Sequence, residues 1–196
     1  MTNHSKDLYK SNTYNYTPSV MSKLSFLPQS KPESQSMRKI NGNSSITVSA
    51  STGEWAYGAA PRMFLIHIRS LIKNSSDCVD AENHTVYLDD TYRSFCKSTG
   101  IHYSGSSKET VMNMVRNLAT TSIVLENWST GGFTAHSFFV ANIVSLNYDD
   151  DGAKKSYIKF SPEMWALLTE NCVPLNPSIV RQLRNDALAL DVYQWL

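Results

Sequence analysis

Near the middle of the chain, two helix-length stretches with apolar stripes stand only a few residues apart. Their spacing limits the fold more than any other feature. The first runs from a capping carboxylate, Asp89 or Asp90, to Thr99. Gly100 follows as a left-handed stop, with Ile101 placed to pack back on Cys96. The join His102-Tyr103-Ser104-Gly105 is short and polar, and Ser106 or Ser107 opens a second helix that runs to about Ala119. Val111, Val115 and Leu118 form the buried stripe of that second helix. Helices joined this tightly must pack against each other, which is the unit of a helix-turn-helix.

The flanking segments supply the rest of a small domain. Ile46 to Ser49 alternates as a short strand. Pro61 sits where a first helical turn tolerates it, and Arg62 to Lys73 follows as a helix with Phe64, Ile68, Leu71 and Ile72 on one face. Thr85 to Leu88 is a strand, as are Ser122 to Glu126, Phe138 to Tyr148 and Ser156 to Phe160. Asp149-Asp150-Asp151-Gly152-Ala153-Lys154-Lys155 is a strong turn signal between the last two. Ser161 caps a helix with Pro162 first and Glu163 in its opening turn, ending near Asn171, with Trp165 and Leu168 on its apolar side. Pro174 to Pro177 breaks the chain, and Asp186 to Leu196 is a last helix with Leu190, Tyr193 and Trp195 as packing residues. The order predicts an α+β winged helix-turn-helix domain over residues 46–196. Residues 1–45 lack periodicity, and Lys6, Lys10, Lys23, Lys31, Arg38 and Lys39 face only Asp7 and Glu33. They read as a disordered basic arm, either an inert tail or a phosphate-touching one.

Composition narrows the chemistry. The formal net charge is +1, so any nucleic-acid surface has to be a local patch. Cys78, Cys96 and Cys172 are widely spaced with no CxxC pair, which argues against zinc or a disulfide framework and suits free thiols in the cytoplasm. The polar start shows no signal peptide, and no stretch is apolar enough for a membrane span. There is no GxxxxGK[ST] loop for a nucleotide. His4, His67, His84, His102 and His136 are scattered, so the His-hydrophobic-His pair of a metal-dependent nicking enzyme is missing. The reading is a DNA-binding protein with no cofactor and no metal, rather than an enzyme.

Opposite the stripe of the second helix, at ~100° per residue, lie Ser106, Glu109, Asn113, Arg116 and Thr120. Asn113 can pair with adenine and Arg116 with guanine or phosphate, while Lys108 sits at the end that enters a major groove. Lys154 and Lys155 are the expected wing tip, although the adjoining aspartates make that patch mixed. Arg69 and Lys73, late in the first helix, are further phosphate candidates. A chromosomal winged-helix transcription regulator, or an interaction module on the same fold, fits this pattern as well.

Four blocks carry a family resemblance. Tyr57-Gly58-Ala59-Ala60-Pro61-Arg62 resembles the YGxxPR opening of plasmid-encoded RepA initiators. Tyr92 to Ile101 resembles that family's FxxxLGI helix ending, Val173-Pro174-Leu175-Asn176 its VPLD-like break, and Ala187 to Leu196 its LALDLYxWL signature. The resemblance implies a plasmid replication initiator that binds repeats at double-stranded origin DNA, helps to melt it and recruits host proteins such as the replicative helicase. It also implies self-association, hence a homodimer, and autoregulation of its own gene. Two departures are visible. Ser104-Gly105-Ser106-Ser107-Lys108-Glu109 is poorer in cations than the family's segment, and the chain stops at Trp195-Leu196 where relatives continue to a second DNA-binding region. From that stop, the C-terminal part is expected to be incomplete, with the apolar surface of Leu190, Tyr193 and Trp195 partly open or buried by a partner copy.

Overall fold

A computed structural model describes residues 25–148, 155–170 and 175–195. Among them the chain is α+β, with six α-helices and eight strands. Strands β1 (Ser36–Asn41) and β2 (Ser44–Ala50) form a hairpin ahead of helix α1 (Ala59–Lys73). A small hairpin, β3 (Val79–Asp80) and β4 (Thr85–Tyr87), leads to the helix pair α2 (Tyr92–Thr99) and α3 (Lys108–Ala119). A longer hairpin follows, β5 (Thr121–Ser129) and β6 (Gly132–Phe139), then β7 (Ala141–Ser145) and β8 (Tyr157–Phe160). Helices α4 (Pro162–Thr169), α5 (Pro177–Leu183) and α6 (Ala187–Trp195) complete it. The strands make two antiparallel sheets, in orders β1-β2-β5-β6 and β3-β4-β8-β7.

Several boundaries differ from the sequence expectation for identifiable reasons. Helix α2 is capped by Thr91, whose hydroxyl accepts from the Ser94 N–H at 3.2 Å, while Asp89 instead accepts from the Ser98 hydroxyl. The expected strand from Phe138 to Tyr148 is two strands. The chain leaves the first sheet at Val140, which is fully buried, and enters the second through a bulge between Ala141 and Ile143. The arm expected over residues 1–45 is ordered from Ser25 onward: Phe26 and Leu27 are buried, and β1 pairs with β2 along its whole length. Residues 1–24 lie outside the described part. Pro177 starts helix α5 rather than ending structure, because Asn176 caps the Ser178 N–H at 2.9 Å. That helix helps to cover Leu190, one of the three residues expected to be partly open on α6, while Tyr193 stays half-buried. Leu190 is fully buried, and the Asn176 N–H donates to the Tyr193 hydroxyl at 2.9 Å; the Trp195 side chain lies outside the described part.

Helix α1 is the hub, touching α2, α3, α4 and α6. Its Phe64 and Ile68 enter the main core with Ile46, Phe95, Val115, Leu118, Ile123, Ile158 and Phe160. The Phe64 and Phe95 rings lie 5.9 Å apart. Each such side chain contributes roughly 1.5–3 kcal/mol by leaving water. Another side of α1 presents Met63 to a second, smaller core made with Val180 and Leu190.

Between these cores lies Arg62, 2% exposed. Its Nε and Nη2 donate to the two carboxylate oxygens of Asp191, both at 2.7 Å. Nη1 donates to the carbonyls of Gly58 at 2.7 Å and Pro28 at 3.1 Å, and Nη2 to that of Leu27 at 2.9 Å. One guanidinium therefore ties the N-terminal segment, the start of α1 and helix α6 together. Lys39, bonded to the Ser25 carbonyl, stands nearby; burial holds its ammonium below the usual lysine range, opposed by Asp191 and reinforced by Arg62. Replacing Arg62 with Ala strands the Asp191 carboxylate and three carbonyls. The expected loss in urea denaturation is about 3–5 kcal/mol. A loss of about 1 kcal/mol or less, the size of a surface ion pair, would show that the network does not hold the fold together.

Candidate nucleic-acid interface

The turn between α2 and α3 is fixed by bonds and rings rather than by length alone. Gly100 ends α2 at φ 74°, and a Cβ placed there would stand 2.9 Å from the Met63 Cε. A 3-10 turn, Gly105–Ser107, leads into α3. Ser104 and Ser107 cap it reciprocally, and the Ser107 and Tyr92 hydroxyls share a bond of 2.9 Å across the two helices. Tyr92 also lies against the rings of Tyr103 and Tyr148, at 5.5 and 6.1 Å between centroids, and Phe95 against Tyr148 at 5.7 Å. Burial pushes the Tyr148 phenol and the Cys96 thiol upward, so both stay neutral within this aromatic wall. Ile101, expected against Cys96, is partly buried against both clusters, the larger of which includes Cys96.

On α3, Val111, Val115 and Leu118 are buried, which turns Glu109, Asn113 and Arg116 to solvent at helical spacing. These three share one open face. The other expected members sit differently. The Thr120 hydroxyl donates back to the Arg116 carbonyl at 3.0 Å, closing the helix end. Lys108 donates to the Tyr148 carbonyl at 2.9 Å, so its ammonium ties α3 to the segment after β7. Ser106 lies in the 3-10 turn, and its side chain is outside the described part. Arg93, exposed on α2, is a cation that the sequence reading passed over; its signal was its place on the first helix of the pair.

The hairpin that directly follows α3 is β5–β6, not the turn carrying Lys154 and Lys155. Its tip passes through Gly131 at φ 95°. Beside the tip, Trp128 and Phe133 pair across the strands with rings 4.9 Å apart and are 46% and 59% exposed. No Lys or Arg occurs from Thr121 to Phe139. The only carboxylate there, Glu126, accepts from Arg38 at 2.7 Å and from Ser45 at 2.8 Å on the outer face of the sheet. Lys155 sits elsewhere, 5.8 Å from the centre of the Tyr87 ring, in a hollow shared with Asp77, Asp89 and Asp90. That acidic company makes it a poor phosphate contact. Lys154 lies outside the described residues.

Arg69 and Lys73 line a cleft of about 430 Å³ formed by α1, the end of α2 and α5, and no residue of α3 borders it. Among the described residues, no three His, Cys, Asp or Glu side chains gather to hold a metal ion, and no helix is long and apolar enough to cross a membrane.

Known proteins can be set beside this geometry. The family model described as "Plasmid encoded RepA protein" matches residues 55–196. A crystal structure of domains 2 and 3 of RctB superposes with a TM-score of 0.58 at 12% identity, covering 92% of this chain and 70% of that one. A second structure of RctB domains 2-3 gives a TM-score of 0.53 at 15% identity, over 83% of this chain and 63% of that one. At such identities the likeness is one of fold. No curated protein matches the chain.

The turn geometry makes a direct prediction. Gly100→Ala puts a side chain at positive φ and against Met63, so it should cost roughly 1–2 kcal/mol of stability in a denaturant titration. An unchanged midpoint would mean that α2 does not end in the left-handed stop described.

Proposed function

Because the chain belongs to the family of plasmid encoded RepA proteins, we propose that it starts plasmid replication by binding repeats in double-stranded origin DNA. In this reading α2 and α3 form the helix-turn-helix of a winged-helix domain, α3 enters the major groove, and the β5–β6 hairpin is the wing. The observation that carries it is the open face of α3: Glu109, Asn113 and Arg116 stand outward from a helix whose opposite side is locked in the core. Asn113 suits adenine, and Arg116 suits guanine or a phosphate. Ser106 and Lys108 belong to the leading end of that helix, and Thr120 to its trailing end.

The wing has no cation, so its contacts come from the hydroxyls of Ser129 and Thr130 and from backbone N–H groups near Gly131. Arg93 on α2 is placed to reach the flanking phosphates. The protein acts by binding, without chemistry of its own. We further propose that it works in the cytoplasm, associates with itself, brings host replication proteins such as the helicase to the origin and represses its own gene; the family match supports this reading.

Two measurements test the reading. Arg116→Ala should weaken binding to a duplex of the plasmid's origin repeats by roughly 1–3 kcal/mol and relax preference at one base position. Unchanged affinity and preference would remove α3 from the groove. Because the wing lacks cations, changes at its tip should leave the salt slope of binding nearly constant, whereas Arg93→Ala should make it shallower by about 0.9 if that side chain meets a phosphate. A plasmid carrying its own origin, supplied with the full-length gene, separates an initiator from a transcription regulator: only the initiator maintains it.

A further inference from the structure

Strand β6 is an outer strand of its sheet, and one side of its backbone has no neighbouring strand. Just past it, the Val140 N–H donates to the Thr121 carbonyl at 3.0 Å. Stepping back by twos along the register, Phe138, His136 and Thr134 turn their N–H and C=O groups toward β5. Phe139, Ser137, Ala135 and Phe133 therefore turn theirs outward. Trp128 agrees: it faces Phe133, yet its N–H goes the other way, to the Asn43 carbonyl at 2.8 Å. One outward group is taken, since the Phe139 carbonyl accepts from the Ser161 hydroxyl at 2.6 Å. Phe133, Ala135 and Ser137 are all exposed, and no described group bonds their outward N–H and C=O.

Native sheets protect an open edge with charge or proline. The opposite edge strand, β1, carries Arg38 and Lys39. Strand β6 carries no Lys, Arg, Asp, Glu or Pro, and Phe133 and Phe139 on its outer face are 59% and 49% exposed. An unprotected edge of this kind is a template for another strand. A DNA duplex has no ladder of alternating N–H and C=O groups with which to fill it.

We propose that β6 pairs antiparallel with β6 of a second copy of this chain, about a two-fold axis through Ala135. The inference rests on the reading that the chain associates with itself, and it names the surface and the register. The bond to Ser161 sets that register. An axis at His136 would need the occupied Phe139 carbonyl and would bring two imidazoles face to face. An axis at Ala135 pairs Phe133 with the partner's Ser137 and Ala135 with the partner's Ala135, and each facing pair exchanges two N–H···O bonds. Sizes match as well. Each Phe133 ring faces a small Ser137 and lies diagonal to the partner's Phe139, while His136 faces Thr134. A foreign strand could use the same backbone groups, but not this matching of the strand to itself.

The test is sedimentation equilibrium of the intact chain, with melting curves as the control for folding. The parent chain should dimerise. Ala135→Pro removes an outward N–H that the chain's own sheet does not use, so the fold should survive while the dissociation constant rises at least about tenfold. Ala135→Lys and Ala135→Glu each bring like charges together on the axis. Each should be monomeric alone, and the two mixed should form a dimer. A parent chain that stays monomeric up to its solubility limit overturns the proposal. So does a Lys and Glu mixture that does not associate. If Ala135→Pro dimerises as the parent does, self-association stands but β6 is not its surface. None of these substitutions lies on α3, so a monomeric parent that still binds its origin duplex sinks the pairing alone, and Arg116→Ala decides the reading of α3 separately.

Discussion

The Arg62 guanidinium lies in the interior with almost no exposure, and the placement of the other parts depends on where it points. A buried cation is unfavourable unless its charge is met and its N–H groups are satisfied. Asp191 meets the charge with both oxygens, and the carbonyls of Leu27, Pro28 and Gly58 take remaining donors. The consequence is topological. The segment before β1, the first turn of α1 and the middle of α6 cannot move independently, although they lie far apart in sequence. Two of the blocks that carry the family resemblance, Tyr57 to Arg62 and Ala187 to Leu196, are the two ends of this one ion pair.

With its first turn fixed, α1 can serve two cores at once. Phe64 and Ile68 anchor the sheets and the helix pair, while Met63 anchors the smaller core under α5 and α6. Met63 also lies against Gly100, so the stop of α2 is fitted to the same helix. The result is a division of surfaces. The open face of α3 and the β5–β6 hairpin belong to the main core, and the cleft lined by Arg69 and Lys73 to the smaller one.

Much of this was legible in the sequence where local chemistry decides the outcome. Ser161-Pro162-Glu163, Gly100 and the stripe of Val111, Val115 and Leu118 place α4, the end of α2 and the buried side of α3 correctly. The misses are edge elements. Ser36 to Asn41 and Gly132 to Ser137 are mostly exposed edge strands, so they lack the apolar alternation by which strands are recognised; the first passed for disordered arm, and the second left the hairpin after α3 unseen. Asn176-Pro177 reads as a break because Pro ends a helix when it falls inside one, whereas here it opens a helix behind the Asn176 cap. In the sequence Arg62 shows only as the end of a motif and the start of a helix, because a cation in a first helical turn normally faces water and its partner lies 129 residues away. The cleft was invisible for the same reason: Arg69 and Lys73 were singled out, but Lys97, Arg181 and the apolar floor come from separate segments.

The claim that α3 is the DNA-reading element is tested most directly by mapping amide chemical shifts of the chain on a duplex of the plasmid's origin repeats. The account predicts shifts concentrated at Glu109, Asn113 and Arg116 and at the tip of the β5–β6 hairpin around Gly131, with α5 and the floor of the cleft unchanged. Shifts confined to α5, α6 and the cleft, with α3 silent, would contradict it.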